Sequence, residues 1–165
     1  AVIRRALRRA AARGVVAIAA VGNAGGKPVY YPAATPGVMG VTALGRLSRL
    51  PKDTVSSLTH QNPPAGTDPD DFVGVFSNVG VGVSAAAPGV GIVSCAPGGF
   101  YAVEDGTSMA APVVTGYAAR VLSSRPALLA GPRDQNRADA IRTAVFQACD
   151  ALGFPINYVG NGHPR

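Results

Sequence analysis

Cysteine, histidine and charge are all scarce in this chain. Its two cysteines, Cys95 and Cys149, allow at most one bridge, which excludes a small disulfide-stapled scaffold, and no Cys/His spacing resembles a zinc site. Sequence cannot say whether the two meet; the favoured reading is two buried free thiols. No stretch of about 18 apolar residues occurs, so no transmembrane helix and no membrane partner are expected. A signal-peptide pattern is missing, and residue 1 is alanine rather than methionine, so the chain reads as a processed product or an excised segment. Charged residues make up 15% of the 165 and apolar ones 47%, with 21 glycines and 14 prolines. That balance excludes a disordered tail and a helical bundle. It suits an α/β or mixed domain with many tight turns.

Positive charge is the exception, and it is local. The net charge is +6, and Arg4, Arg5, Arg8, Arg9 and Arg13 carry much of it. Residues 2–13 predict an amphipathic helix with Ile3, Leu7, Ala10 and Ala11 on one face and the arginines on the other, ended by Gly14. No other run interleaves basic and aromatic residues, so the arginines read as a solvated helix face and no nucleic-acid partner is expected.

The rest of the chain has the rhythm of a parallel α/β sheet. Residues 15–22 (VVAIAAVG) and 38–44 (VMGVTAL) predict two fully buried strands joined by a loop. Residues 45–72, with Pro51, Pro63, Pro64 and Pro69 and the acids Asp68, Asp70 and Asp71, predict a long surface loop or insertion. A strand leading to Pro88 follows, then a hairpin turning at Pro97-Gly98-Gly99. Residues 107–123 are the strongest helix, with Pro112 in its first turn. Residues 134–151 predict another, capped by Asp134, with Ile141, Val145 and Cys149 on one face.

Two motifs carry chemistry. In Gly106-Thr107-Ser108-Met109-Ala110-Ala111-Pro112 a serine opens a helix among small neighbours. A helix N-terminus favours an oxyanion, and small neighbours let a peptide carbonyl approach, although the same serine also fits a plain N-cap. In Val21-Gly22-Asn23-Ala24-Gly25 an asparagine stands at the C-terminal end of a strand, where ligands of open α/β sheets bind. It fits either a turn residue or an amide aimed at a substrate.

Taken together, G-T-S-M-A-A-P and the strand ending Ala20-Val21-Gly22-Asn23-Ala24-Gly25 resemble the subtilisin-like serine peptidases. Tyr31-Pro32 (a bond often cis in that family), Val41-Thr42, Phe76-Ser77-Asn78-Val79-Gly80, Ala87-Pro88-Gly89 with Ile92, and Gly160-Asn161-Gly162 follow in the family's order. The resemblance is close over residues 10 to 123 and weaker beyond. It implies a three-layer, parallel-sheet α/β fold, of which 1–165 is the C-terminal portion, and a serine endopeptidase working through an acyl-enzyme. Ser108 would be the nucleophile and Asn23 an oxyanion-hole donor. Ala20, Val21 and Gly22 would wall the primary specificity pocket, with Thr107 also on the substrate and Tyr30 at the pocket's base. The substrate would be a peptide or protein. No cofactor is required; calcium for stability is a family habit that no acidic cluster here specifies, and secretion is implied by the family alone.

The sequence also departs from the family. Its D-[ST]-G and H-G-T-H motifs are missing, so the triad aspartate and histidine are expected from an N-terminal half of the same domain. His60 and His163 read as surface residues, and Glu104 and Asp105 as pointing away from Ser108. Val113 stands where many members have histidine, a structural position. A sedolisin would want aspartate at Asn23, and an α/β-hydrolase glycine at Ala110. A phosphate loop over Gly22–Lys27 is one residue short and has Pro28 at the magnesium position. A pseudopeptidase used for binding or scaffolding is the remaining alternative.

Overall fold

The computed structural model describes residues 2–59 and 66–165. Its organising element is β2 (Met39–Arg46), whose first seven residues are buried. β1 (Ile18–Ala20) runs parallel to the first half of β2, and β3 (Asp71–Val73) runs antiparallel to its end. β4 (Val83–Pro88) lies parallel to β2 over Gly40–Leu44, and since Val41 and Leu44 each have a partner on both sides, β1 and β3 follow one another along the opposite edge. The parallel α/β expectation is thus borne out, with β3 as an antiparallel addition.

The strands' alternation sets up two layers of packing. Val41, Ala43, Ala85 and Ala87 face α3 (Thr107–Ser123), meeting Ala110, Ala111, Val114, Ala118 and Val121. α5 (Gln135–Gln147) packs behind with Ile141, Ala144 and Val145. The small side chains let α3 approach the sheet closely, and dense packing of this kind leaves no room for larger ones. On the other face Leu44, Val73 and Ala86 meet Phe154 and Val159, the latter from α6 (Ile156–Val159). Thr42 belongs to that face too, donating its hydroxyl to the Tyr158 carbonyl at 2.7 Å.

Several expectations are corrected here. The 15–22 strand shortens to β1, which is only half-buried, because among the described residues its outer edge has no partner. α1 (Val2–Ala11) forms but stops at Ala11 rather than 13, a turn then leading to Gly14 at φ +73°; it has no buried residue, and Val2 and Ile3 stand exposed. Residues 45–72 are not all loop. β2 runs on to Arg46, a 3-10 turn covers Leu47–Arg49, α2 spans Val55–Thr59, and β3 opens at Asp71. Pro63, Pro64 and His60 lie outside the described residues. Asp134 does cap α5, accepting the Arg137 N–H at 3.0 Å, but α5 stops at Gln147 rather than 151. Cys149 and Asp150 leave it as β7 (Cys149–Asp150), pairing with β8 (His163–Pro164). Pro112 sits in the second turn of α3 rather than the first, so its missing N–H leaves the Ser108 carbonyl without an i+4 donor. A short α4 (Pro126–Ala130) links α3 to α5. The cysteines are free, as expected, but not both buried. Cys95 is exposed on the hairpin of β5 (Ile92–Ala96) and β6 (Phe100–Glu104), which has no core beneath it. Cys149 is half-covered, and burial, with Asp150 beside it, pushes its thiol up to about 11.

Two measurements follow. A Cβ at Gly40 would stand 2.2 Å from the Gly82 carbonyl oxygen in the turn that enters β4, whereas one at Gly116 on α3 meets nothing within 4 Å. Gly40→Ala should destabilise by about 1–3 kcal/mol through overpacking. Gly116→Ala should stabilise by about 0.5–1 kcal/mol through helix propensity. Denaturant midpoints read both, and equal shifts would contradict this packing. The thiolate is the reactive form, so at pH 8 roughly a thousandth of Cys149 is reactive. A disulfide reagent should therefore titrate Cys95 quickly and Cys149 only on unfolding; two equally fast thiols would overturn the placement.

Candidate active site

Ser108 is the second residue of α3 and is exposed at the helix's N-terminal end. No acid occupies that first turn, so the partial positive charge of a 17-residue helix is uncompensated there. Asn23 reaches the same point from the loop that follows β1, 84 residues away. Its Oδ1 accepts the Thr107 backbone N–H at 3.0 Å and the Thr107 hydroxyl at 2.8 Å. A backbone N–H can only donate, so the atom facing it must be the carboxamide oxygen, and Nδ2 is turned the other way. A Cβ built on Gly106 would lie 3.3 Å from Asn23 Nδ2 and 3.6 Å from the Ser108 nitrogen. The two nitrogens therefore border the space that Gly106 leaves empty. Two N–H donors at a helix start, beside a hydroxyl open to solvent, can hold an oxyanion while that hydroxyl attacks.

Thr107, expected on the substrate, is instead fully buried and holds this arrangement from below, its Oγ1 accepting the Gly22 N–H at 3.3 Å while donating to Asn23. Gly22 has φ +112°, a conformation that favours glycine, and a Cβ there would meet Asn78 Nδ2 at 2.6 Å and Tyr30 at 2.9 Å. Ala20 is half-buried beside it, whereas Val21, expected to wall the pocket, is fully buried with Val29 and Ala33, its N–H bonded to the Val41 carbonyl at 3.2 Å and its own carbonyl accepting the Tyr30 N–H at 2.9 Å. Tyr30 stands against Gly22 with half its surface exposed.

Asn78 is the contributor that sequence reasoning did not assign. Fully buried, it accepts the Ala24 N–H at 2.8 Å and donates to the Pro28 carbonyl at 3.0 Å, while its own N–H bonds the Gly22 carbonyl at 2.9 Å. It braces both sides of the Asn23 loop. Its place in Phe76-Ser77-Asn78-Val79-Gly80 was the available signal, but that motif does not reveal which loop it meets. The Tyr31–Pro32 peptide bond is cis.

No described side chain hydrogen-bonds the Ser108 hydroxyl. His163 is engaged elsewhere, its Nδ1 3.2 Å from the Ala86 carbonyl oxygen, with burial holding the imidazole below its ordinary value. Among the described residues no group of three or more His, Cys, Asp or Glu could hold a metal ion. The nearest approach to a calcium set, Asp68, Asp70 and Asp71, instead pairs with the Arg46 guanidinium at 3.0–3.1 Å. Ser48 and Arg46 together hold the Asp70 carboxyl below the usual carboxylate range. Engaged with the guanidinium, these residues do not fit calcium.

Comparison with known proteins points to one family. The Peptidase S8 subtilase family profile matches residues 2–162. Alkaline elastase YaB of Bacillus sp. (strain YaB) is 36% identical over 126 residues, 76% of this chain and 27% of that protein. Subtilisin BL of Lederbergia lenta is 35% identical over 126 residues, 76% of this chain and 38% of its own. A thermostable alkaline protease of Halalkalibacterium halodurans is 33% identical over 157 residues, 95% of this chain and 35% of its own. The chain thus spans between 27% and 38% of the length of these curated relatives. The self-cleaved protease domain of PatA superposes with a TM-score of 0.70 at 25% identity, covering 99% of this chain and 51% of that one. With the profile running almost end to end and the motif residues gathered at one helix terminus, this chain belongs to the subtilase family.

Proposed function

We propose that this chain supplies the nucleophile and the oxyanion-binding half of a serine endopeptidase site. The supporting observation is the pinned carboxamide of Asn23, whose Nδ2 borders the same space as the Ser108 N–H. In this reading Ser108 Oγ bonds to the carbonyl carbon of the scissile peptide. The carbonyl oxygen gains charge between Asn23 Nδ2 and the Ser108 N–H, and collapse of the tetrahedral adduct breaks the C–N bond. The amine leaves with a proton, the acyl group stays on Ser108, and water then hydrolyses the ester. The proton from Ser108 needs a base, and no described side chain bonds its hydroxyl.

That base, with its orienting acid, is assigned to an N-terminal half of the same domain. The edge of β1, unpaired among the described residues, and the exposed Val2 and Ile3 of α1 support the docking of such a half. The relatives named alkaline protease and elastase favour an active parent with peptide or protein substrates, and family habit favours secretion. The scaffold reading would lead if the remaining half lacked either residue.

Two expectations test the assignment in the polypeptide carrying both halves. Ser108→Ala should abolish hydrolysis and labelling by a fluorophosphonate, and persistence of either would remove Ser108 from the nucleophile's role. Asn23→Ala should lower kcat by about a hundred- to a thousand-fold with little change in KM. An unchanged kcat would sink the oxyanion assignment. The present chain alone should hydrolyse no peptide at a measurable rate.

A further inference from the structure

The β5–β6 hairpin runs directly into the turn that presents Ser108, yet it is poorly anchored. Val93, Phe100 and Tyr101 are all exposed, as is Cys95, so among the described residues little holds the hairpin except its own ladder. A loosely packed ribbon joined to a catalytic turn would pass its motion into that turn.

Asp105 lies where this would happen, between the end of β6 and Gly106. Its Oδ1 accepts the Gly91 N–H at 2.7 Å, and Gly91 immediately precedes β5. One carboxylate oxygen therefore clasps the open end of the hairpin. The same oxygen accepts the Ser56 hydroxyl at 2.7 Å from α2, where Ser56 is 4% exposed. The other side-chain hydrogen bonds described for residues 51–59 stay inside that segment: Thr54 to the Pro51 carbonyl and Ser57 to the Thr54 carbonyl. Pro51 packs against Gly91, where a Cβ would meet its Cδ at 2.7 Å. Segment 51–59 thus lies on the clasp and reaches it through Ser56. Beyond Asp105 the turn is tied twice more, by Gly106 N–H to the Gly89 carbonyl at 2.8 Å and by Thr107 N–H to Asn23.

We infer that Asp105 is a positioning residue: its carboxylate isolates the serine turn from the hairpin and couples segment 51–59, through Ser56, to the placement of Ser108 and its N–H. Asp105 touches no substrate in this scheme and acts only through the turn. The kinetic part rests on the peptidase reading above; the structural part does not.

The experiment uses the polypeptide with both halves of the domain and compares Asp105→Ala, Asp105→Asn and Ser56→Ala. It reads kcat and KM on a short anilide substrate, and hydrogen exchange at the Gly106, Thr107 and Met109 amides. Asp105→Ala should lower kcat by about ten- to a hundred-fold with KM within about twofold, since misplacing a reacting group costs turnover rather than binding. The three amides should exchange faster in the same variant. Asp105→Asn keeps a carbonyl oxygen for both donors and should restore both readouts to near wild type. Ser56→Ala should move both in the same direction by a smaller factor, and it decides the matter if Asp105→Ala does not fold. Wild-type kcat and exchange in Asp105→Ala, with only the melting temperature lowered, would make Asp105 merely structural and overturn the inference. Failure of Asp105→Asn equal to that of Asp105→Ala would overturn it too. If the unmodified polypeptide has no serine-dependent activity, the peptidase reading falls, and exchange alone then supports or rejects the clasp.

Discussion

Thr107 gives two protons to one oxygen of Asn23, one from its backbone and one from its hydroxyl. That contact joins the loop after β1 to the start of α3 across 84 residues of sequence. Most of the site depends on it. It turns the carboxamide so that Nδ2 faces outward, satisfies a helix-terminal N–H that has no partner inside α3, and buries Thr107 beneath Gly22. The rest of the fold brings these two ends together: β1 and β4 flank β2, the small residues of α3 lie against all three, and Asn78 locks the loop from the far side. A buried carboxamide with every polar atom paired is costly to disturb, which makes the loop rigid without a disulfide.

What could be read from the sequence was what is encoded locally. The apolar run of β2 and the Gly-Thr-Ser opening of α3 announced themselves, because strand burial and helix starts follow from neighbouring residues. The Asn23–Ser108 pairing was legible only because several motifs stood in family order; composition and periodicity alone left both residues with bland roles. The misreadings share a cause, which is pairing between distant segments. Cys149 continues the apolar period of α5, yet Cys149–Asp150 is claimed by His163–Pro164, and Asp71 and Phe72 look like loop until β2 recruits them. The Asp105–Ser56 bond spans 49 residues and leaves no periodic trace. The half-burial of β1 reflects its place at the sheet's edge among the described residues, which no reading of the strand's own residues could supply.

Charge is handled in two contrasting ways. Arg46 is saturated, meeting Asp68, Asp70 and Asp71 together, and this knot fastens the end of β2 to the segment that returns as β3. Its members are partly open to water, so its worth lies in fixing geometry more than in raw stability. The arginines of α1 have no ion-pair partner among the described residues, and two of them, Arg4 and Arg5, sit in the helix's first turn, where the dipole disfavours cations. Arg4 instead finds Tyr31, donating to its hydroxyl at 2.9 Å and lying over the ring. This tethers α1 to the loop between β1 and β2 by a contact that needs no carboxylate.

The Thr107 hydroxyl has a further consequence. Its single proton has no choice of direction, because the Gly22 N–H already fills one side of the oxygen and Asn23 waits on the other. The hydroxyl works as a one-way valve for polarity: it receives from the strand and gives to the loop. The side chain of Asn23 is nearly symmetric in shape but opposite in sign at its two ends. Turned over, the same atoms would present a lone pair where a proton now stands, and the space beside Gly106 would lose one of its two donors. The polarity beside Ser108 is therefore set by Thr107, a residue with no exposed surface of its own.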